Sequence, residues 1–318
     1  MKKIWMFLLI TSSLFSTLAL GSTQSKNVVL LISGSASSSG EMELGKLTKL
    51  AHLTGHKHYF NGYRKILKNL GLESFECLLK KDKDSRTLLE RSNECKVNLK
   101  KHIKENSLSK KSITIIGHSM GGNIARLVAS DVYLSSYIKN ILTISTPHQG
   151  TILADYVVDQ YENGNDPQSD FYRLIINTLE FYPEAKPYFY ELYSQRSLDP
   201  EMYHAQDVEM APGVNYFSIS NYVANPHLSI FNLTWNIVNK LMLEFGQDNT
   251  EYGLKNDGVL PVFSMIFGKH LETVKADHAE GLCVGSFYYS QGCRNMKNAL
   301  VRFFVHELKI ANLSQALE

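Results

Sequence analysis

At 318 residues the chain is long enough for one large core or two small ones, and 44% apolar with 20% charged residues and only 8 prolines excludes a long disordered linker. A formal net charge of +2 is too close to neutral to point to a nucleic-acid partner.

The first residues read as a targeting segment. Lys2 and Lys3 are followed by a mostly apolar run from Ile4 to Leu20, and Ala19-Leu20-Gly21 is a small-x-small cleavage site. Residues 1–21 are therefore expected to be a signal peptide, leaving 22–318 as a single domain. The hydroxyl-rich second half of the run argues against an uncleaved anchor, and no cysteine follows it to carry a lipoprotein anchor. Without its two lysines the remainder has 31 basic and 31 acidic residues. The expected location is extracellular or periplasmic. Export makes the four cysteines candidates for disulfides. Local pairing, Cys77 with Cys95 and Cys283 with Cys293, is the simplest of three connectivities.

Val28 to Ile32 is a short continuous apolar run, as a buried parallel strand requires. It leads into Ser33-Gly34-Ser35. Tyr59 to Leu70 has the spacing of an amphipathic helix stopped by Gly71. A weak strand is expected near Ser74 to Leu79, and a charged surface helix over Leu88 to Asn106. Ser112 to Ile116 is a β-branched run that ends in Gly117-His118-Ser119-Met120-Gly121-Gly122, and helical spacing resumes from Asn123 to Leu134. Strand, Gly-x-Ser-x-Gly and helix in that order are what a nucleophile elbow requires, with Ser119 at the apex.

Ile138 to Ser145 predicts another buried strand, ending in Thr146-Pro147-His148. The segment from about 152 to 212 is rich in Tyr, Phe and Leu, with helical stretches expected at Asp170 to Tyr182 and Lys186 to Tyr193. It is too long for a simple crossover and is expected to be a lid over the site, the alternative being an ordinary helical insertion. A strand over Val214 to Ser220 follows, then a partly helical stretch from Leu228 to Phe245, and then the turn Asn256 to Pro261. Leu271 to Ala276 reads as the last strand and Met296 to Ile310 as an amphipathic terminal helix. Strands alternating with helices predict an α/β fold with a mostly parallel sheet flanked by helices.

A serine hydroxyl is a weak nucleophile until a base takes its proton and a carboxylate orients the base. On this fold the acid follows the serine and the histidine comes last. His278 directly follows a strand and is the expected base. His148 precedes the good acid candidates and its Thr-Pro-His context suggests a role in ordering a loop. His270 stands before the last strand, and His118 cannot easily turn onto its neighbour. Asp257 lies 21 residues before His278 and is the expected acid, because Asp277 would have to bend back on its neighbour and Asp131 and Asp155 precede the expected position. The oxyanion hole needs two backbone N–H groups; Met120 and Ser35 are expected to supply them.

These residues bring out a family likeness. The chain resembles the secreted bacterial triacylglycerol lipases of the Pseudomonas and Burkholderia type. The shared stretches are Tyr59-Phe60-x-Gly62, Gly117 to Gly122, Ser145-Thr146-Pro147-His148-x-Gly150-Thr151, Leu228 to Phe231, Asn256-Asp257-Gly258, Gly268-Lys269, Asp277-His278-x-Glu280 and Ala299 to Arg302. The resemblance implies an α/β-hydrolase that starts at its third strand, a lid, and a Ser119, Asp257, His278 triad acting on lipid esters at an oil–water or membrane surface. A phospholipase or lipid acyltransferase would use the same triad, and a non-catalytic secreted binding protein could keep the scaffold.

The resemblance also implies a structural calcium ion near the catalytic histidine, with Glu280 as its candidate ligand, and a dedicated foldase as a partner. The chemistry itself asks for no cofactor. The chain departs from the family at several places, and the segment that supplies the first calcium ligand is shortened. Ser33-Gly34 replaces a His-Gly after the first strand. Phe263 stands where the family has a disulfide cysteine, and Val284 where it has an amide ligand to calcium.

Overall fold

The computed structural model describes residues 27–34, 37–38, 41–42, 58–77, 87–163, 192, 208–229, 231–249, 251–283 and 285–310. The expected signal peptide, Ser35, and the two helices expected within 170–193 lie outside the described residues, as does most of the expected lid.

Six strands form one sheet: β1 (Val28–Ile32), β2 (Glu73–Glu76), β3 (Ile113–His118), β4 (Ile138–Ile144), β5 (Asn215–Tyr222) and β6 (Lys269–Lys275). Their order is β2-β1-β3-β4-β5-β6, and every pairing is parallel. A parallel neighbour requires a crossover, so the helices between strands cover both faces.

Seven α-helices are described: α1 (Asn61–Asn69), α2 (Leu88–Glu105), α3 (Met120–Ala129), α4 (Val132–Ser135), α5 (Ile152–Asn163), α6 (Asn232–Glu244) and α7 (Gln291–Arg302). Among the described residues no helix is long and apolar enough to cross a membrane. The side-chain alternation of β1 divides the core. Val29 and Leu31 join α1 and α7 on one face, through Tyr63, Leu67, Met296 and Leu300. Leu30 and Ile32 join α2 and α3 on the other, through Leu99, Ile124 and Val128. A third cluster packs Ile152 and Leu153 of α5 against Val238, Leu241 and Met242 of α6.

Element boundaries follow local chemistry. Gly71, at φ 69°, closes α1 by donating to Lys68 O while Leu72 N–H donates to Leu67 O, which satisfies two carbonyls of the last turn. Thr87 and Glu90 form a reciprocal capping box at the start of α2. The elbow helix, expected to reach Leu134, stops at Ala129. Asp131 takes an extended conformation and its carboxylate caps α4 by accepting from Leu134 N–H, which restarts the helix on a new axis. The terminal helix starts five residues before its expected Met296, because the Ser290 hydroxyl accepts from Cys293 N–H and caps it. That first turn, Gln291-Gly292-Cys293-Arg294, carries no apolar periodicity to announce it. Both disulfides join the local pairs, Cys77–Cys95 and Cys283–Cys293.

Candidate active site

Three loops meet at the carboxyl ends of the strands. β3 delivers Ser119 to an apex at φ 55°, ψ −135°, a conformation that costs a non-glycine residue about 1–3 kcal/mol. The turn is tight enough that a Cβ on Gly117 would stand 2.6 Å from Gly121 O and Gly122 N. A Cβ on Gly121 would run into Ile32 O, and one on Gly122 into the Thr146 side chain. Sequence reading singles out the first two glycines; the third is fixed by a contact that only the fold creates.

Asp257 arrives by a longer route. Its turn lies beyond α6, 34 residues after the last residue of β5 plus one, Val223, and Val223 N–H donates to Asn256 O at 2.9 Å. That bond carries the turn back to the end of the sheet. His278 follows β6 directly, and its own amide donates to Asp257 O at 3.0 Å.

The side chains then form one continuous line. His278 Nε2 lies 3.1 Å from Ser119 Oγ, and His278 Nδ1 lies 2.7 Å from Asp257 Oδ2. The other carboxylate oxygen, Oδ1, accepts from the amides of Val259 at 3.0 Å and Leu260 at 2.8 Å. Asp257 is fully buried while the His278 side chain keeps 15% of its surface exposed, so a ligand can reach the base but not the acid. Burial pulls the His278 imidazole toward the neutral form. The charge and hydrogen bond of Asp257, with the charge of Asp277, outweigh burial and raise its pKa above the ordinary histidine value.

Met120 is the first residue of α3, where a backbone N–H has no acceptor within the helix and the helix dipole is positive. Its amide directly follows Ser119 in the elbow turn.

The remaining histidines separate by surroundings. His148 is buried: Arg126 Nη1 donates to its Nδ1 at 3.2 Å, so its Nε2–H donates to Thr143 Oγ1 at 2.9 Å, and its amide donates to Ser264 O. It orders the loop after β4. His270 lies inside β6 near its amino end, bonded to Ser218 and Thr273. His118 is fully buried with Nδ1 2.8 Å from Tyr59 Oη.

Glu280, the candidate calcium ligand, accepts from Asp277 N–H through Oε2. Asp277 accepts from Ala279 and Glu280 amides through Oδ1 and from the Ser229 hydroxyl through Oδ2. These carboxylates brace the loop that carries His278. Calcium takes six to eight oxygen ligands, and the described residues contain no group of three or more His, Cys, Asp or Glu able to hold a metal ion.

Sequence reasoning assigned no role to Tyr59, Ser229 or Phe231. Ser229 holds Asp277, and Phe231 presents its ring edge-on to His278 with centroids 6.2 Å apart. Their motifs are visible in the sequence, but only the fold shows what each touches.

With this geometry in view, comparison with known proteins gives consistent neighbours. Residues 23–173 match the family described as PGAP1-like alpha/beta domain. Triacylglycerol lipase 2 of Saccharomyces cerevisiae is 28% identical over 227 residues, covering 70% of this chain and 61% of the yeast protein. This chain thus spans less than two thirds of that relative. Among solved structures, mature Bacillus licheniformis lipase BlEst2 superposes with a TM-score of 0.54 at 15% identity, over 88% of this chain and 91% of that one. Staphylococcus hyicus lipase gives 0.53 at 15% identity, over 90% and 96%. The parallel sheet and these likenesses establish the α/β-hydrolase fold.

Proposed function

We propose that this chain is a serine carboxylic-ester hydrolase acting on lipid esters, as a triacylglycerol lipase. The observation that carries the proposal is the unbroken line Ser119 Oγ, His278 Nε2, His278 Nδ1, Asp257 Oδ2 at the carboxyl end of the sheet. His278 takes the Ser119 proton as Oγ attacks the ester carbonyl, and Asp257 holds the imidazolium that forms. The Met120 amide, with Ser35 as the proposed second donor, receives the oxyanion. The alcohol leaves with the proton from His278, and water releases the acyl group from Ser119 by the same steps in reverse roles.

Lipid as the substrate class is supported by the name of the yeast relative and by the motifs shared with secreted bacterial lipases of the Pseudomonas and Burkholderia type. Two disulfides and the apolar leader of residues 4–20 support export. The test is labelling with a fluorophosphonate probe together with hydrolysis of tributyrin. Ser119 should carry the probe, and Ser119→Ala should lose both labelling and hydrolysis. A Ser119→Ala protein with full esterase activity would sink the proposal. Product analysis on phospholipid, with and without an acceptor alcohol, separates a lipase from a phospholipase or acyltransferase built on the same triad.

A further inference from the structure

We infer that Tyr59 is a positioning residue of this site: its phenol, set between the Gly34 amide and the His118 imidazole, locks the loop after β1 against Ser119 and fixes His118 as the Nε2–H tautomer beside His278. The inference rests on the serine-hydrolase reading above and extends it to a residue outside the triad.

Gly34 N–H donates to Tyr59 Oη at 3.2 Å, and Oη lies 2.8 Å from His118 Nδ1. An amide can only donate, so the phenol accepts from Gly34. The phenol then has one proton to give, and among the described residues His118 Nδ1 is its one acceptor. Nδ1 must therefore be bare, and the neutral ring carries its proton on Nε2. Burial, followed by the charge of nearby His278, holds the His118 pKa well below the ordinary histidine value, which keeps the ring neutral. The Tyr59 hydroxyl is pushed up by burial and stays protonated.

What the phenol holds is the wall of the elbow. A Cβ on Gly34 would stand 2.8 Å from Ser119 Cβ and 3.2 Å from His118 O, so Gly34 packs directly on the nucleophile's own backbone turn. The rings of His118 and His278 have centroids 5.0 Å apart, and His118 Nε2 is buried against the His278 backbone. A charge on His118 would oppose the imidazolium that His278 must form in turnover, so a tautomer lock at Nδ1 serves the base as well as the nucleophile. The same short segment braces the other catalytic loop: Tyr63 Oη donates to Gly281 O at 2.5 Å, and Gly62 packs on Cys283. The Tyr-Phe-x-Gly-Tyr stretch at 59–63 thus ties the β1 loop, the elbow and the histidine loop together.

Tyr59→Phe removes one oxygen and keeps the ring contacts with Phe60 and His118. On a water-soluble p-nitrophenyl ester its kcat should fall by ~10- to 100-fold, the scale of a small misplacement at a reacting centre, with KM nearly unchanged. The fluorophosphonate labelling rate should fall in parallel. Unchanged kcat, or a rise in KM alone, overturns the inference. Histidine-selective 15N NMR of the wild-type protein, with His118→Gln for assignment, gives an independent readout. His118 should show a bare Nδ1 and a protonated Nε2, and an Nδ1–H signal overturns the inference even where the Tyr59→Phe chain does not fold. Wild-type protein that neither hydrolyses the ester nor takes the probe refutes the hydrolase reading instead, a result distinct from either of these.

Discussion

Asp257 meets two demands with one carboxylate. Oδ2 accepts from His278, and Oδ1 accepts from two amides of its own turn. Those amide bonds fix the carboxylate's orientation before His278 arrives, so the acid is pre-aimed by local turn chemistry. In Asp257→Asn the charge is lost, and an amide NH2 facing Nδ1 favours the wrong tautomer. kcat should fall by about 10³- to 10⁴-fold. The pH profile should move as well. The proposed mechanism needs neutral His278, so the rate should climb as pH rises through its pKa, which stands above the ordinary value because Asp257 and Asp277 outweigh burial. Removing the Asp257 charge should shift that acidic limb to lower pH, measured as kcat/KM against pH on a soluble ester. A limb that stays in place would show that Asp257 does not set the base. That Ser119, Asp257 and His278 would meet was legible in the sequence because each follows a rule of order and strand ends. Gly122, Tyr59 and Ser229 were not, because their reasons are contacts with Thr146, His118 and Asp277, far away along the chain.

Single elements divide into those that stabilise the scaffold and those that carry the site. The capping box of α2 belongs to the first group: Glu90 N–H donates to Thr87 Oγ1 at 3.2 Å, and Thr87 N–H donates to Glu90 Oε2 at 2.8 Å, on an exposed turn. Thr87→Ala should lower stability by about 1 kcal/mol in urea unfolding and leave ester hydrolysis unchanged. The Cys283–Cys293 bridge belongs to the second. It closes a loop of sequence separation 10 and joins the end of the His278 loop to α7. Replacing both cysteines by serine should cost about 3 kcal/mol in the chain-entropy account. Because Gly62 packs on Cys283, slackening there reaches α1, and thermal inactivation should set in before global unfolding seen by circular dichroism. Coincident transitions would show that the bridge stabilises the whole fold and not the site alone. Strand runs such as Val28–Ile32 and Ile138–Ile144 were readable because buried parallel strands are continuously apolar. The break at Ser130 and Asp131 was not, because a capping side chain overrides a periodicity that would otherwise continue.

At the scale of the whole molecule, the parallel sheet is what makes the site. All six strands point one way, so loops from β1, β3, β5 and β6 share one edge, and residues 34, 119, 257 and 278 meet there despite their separation in sequence. The alternation of elements made that architecture legible, whereas the return of Asp257 to the sheet end runs through backbone bonds, Val223 N–H to Asn256 O and His278 N–H to Asp257 O, that no sequence pattern announces. Two large apolar side chains stand exposed near this edge. Leu228 is 83% exposed and Leu233 56%, on either side of Ser229 and Phe231, which touch Asp277 and His278. Large exposed leucines beside the proposed base cost solubility unless they meet an apolar partner, and an ester interface is such a partner. Activity should therefore rise when an ester passes from monomeric to emulsified form. Leu228→Ser with Leu233→Ser should abolish that rise and leave hydrolysis of a soluble ester as it was. Equal loss on both substrates would assign the two leucines to the fold, and no loss on either would remove them from the account of how lipid reaches Ser119.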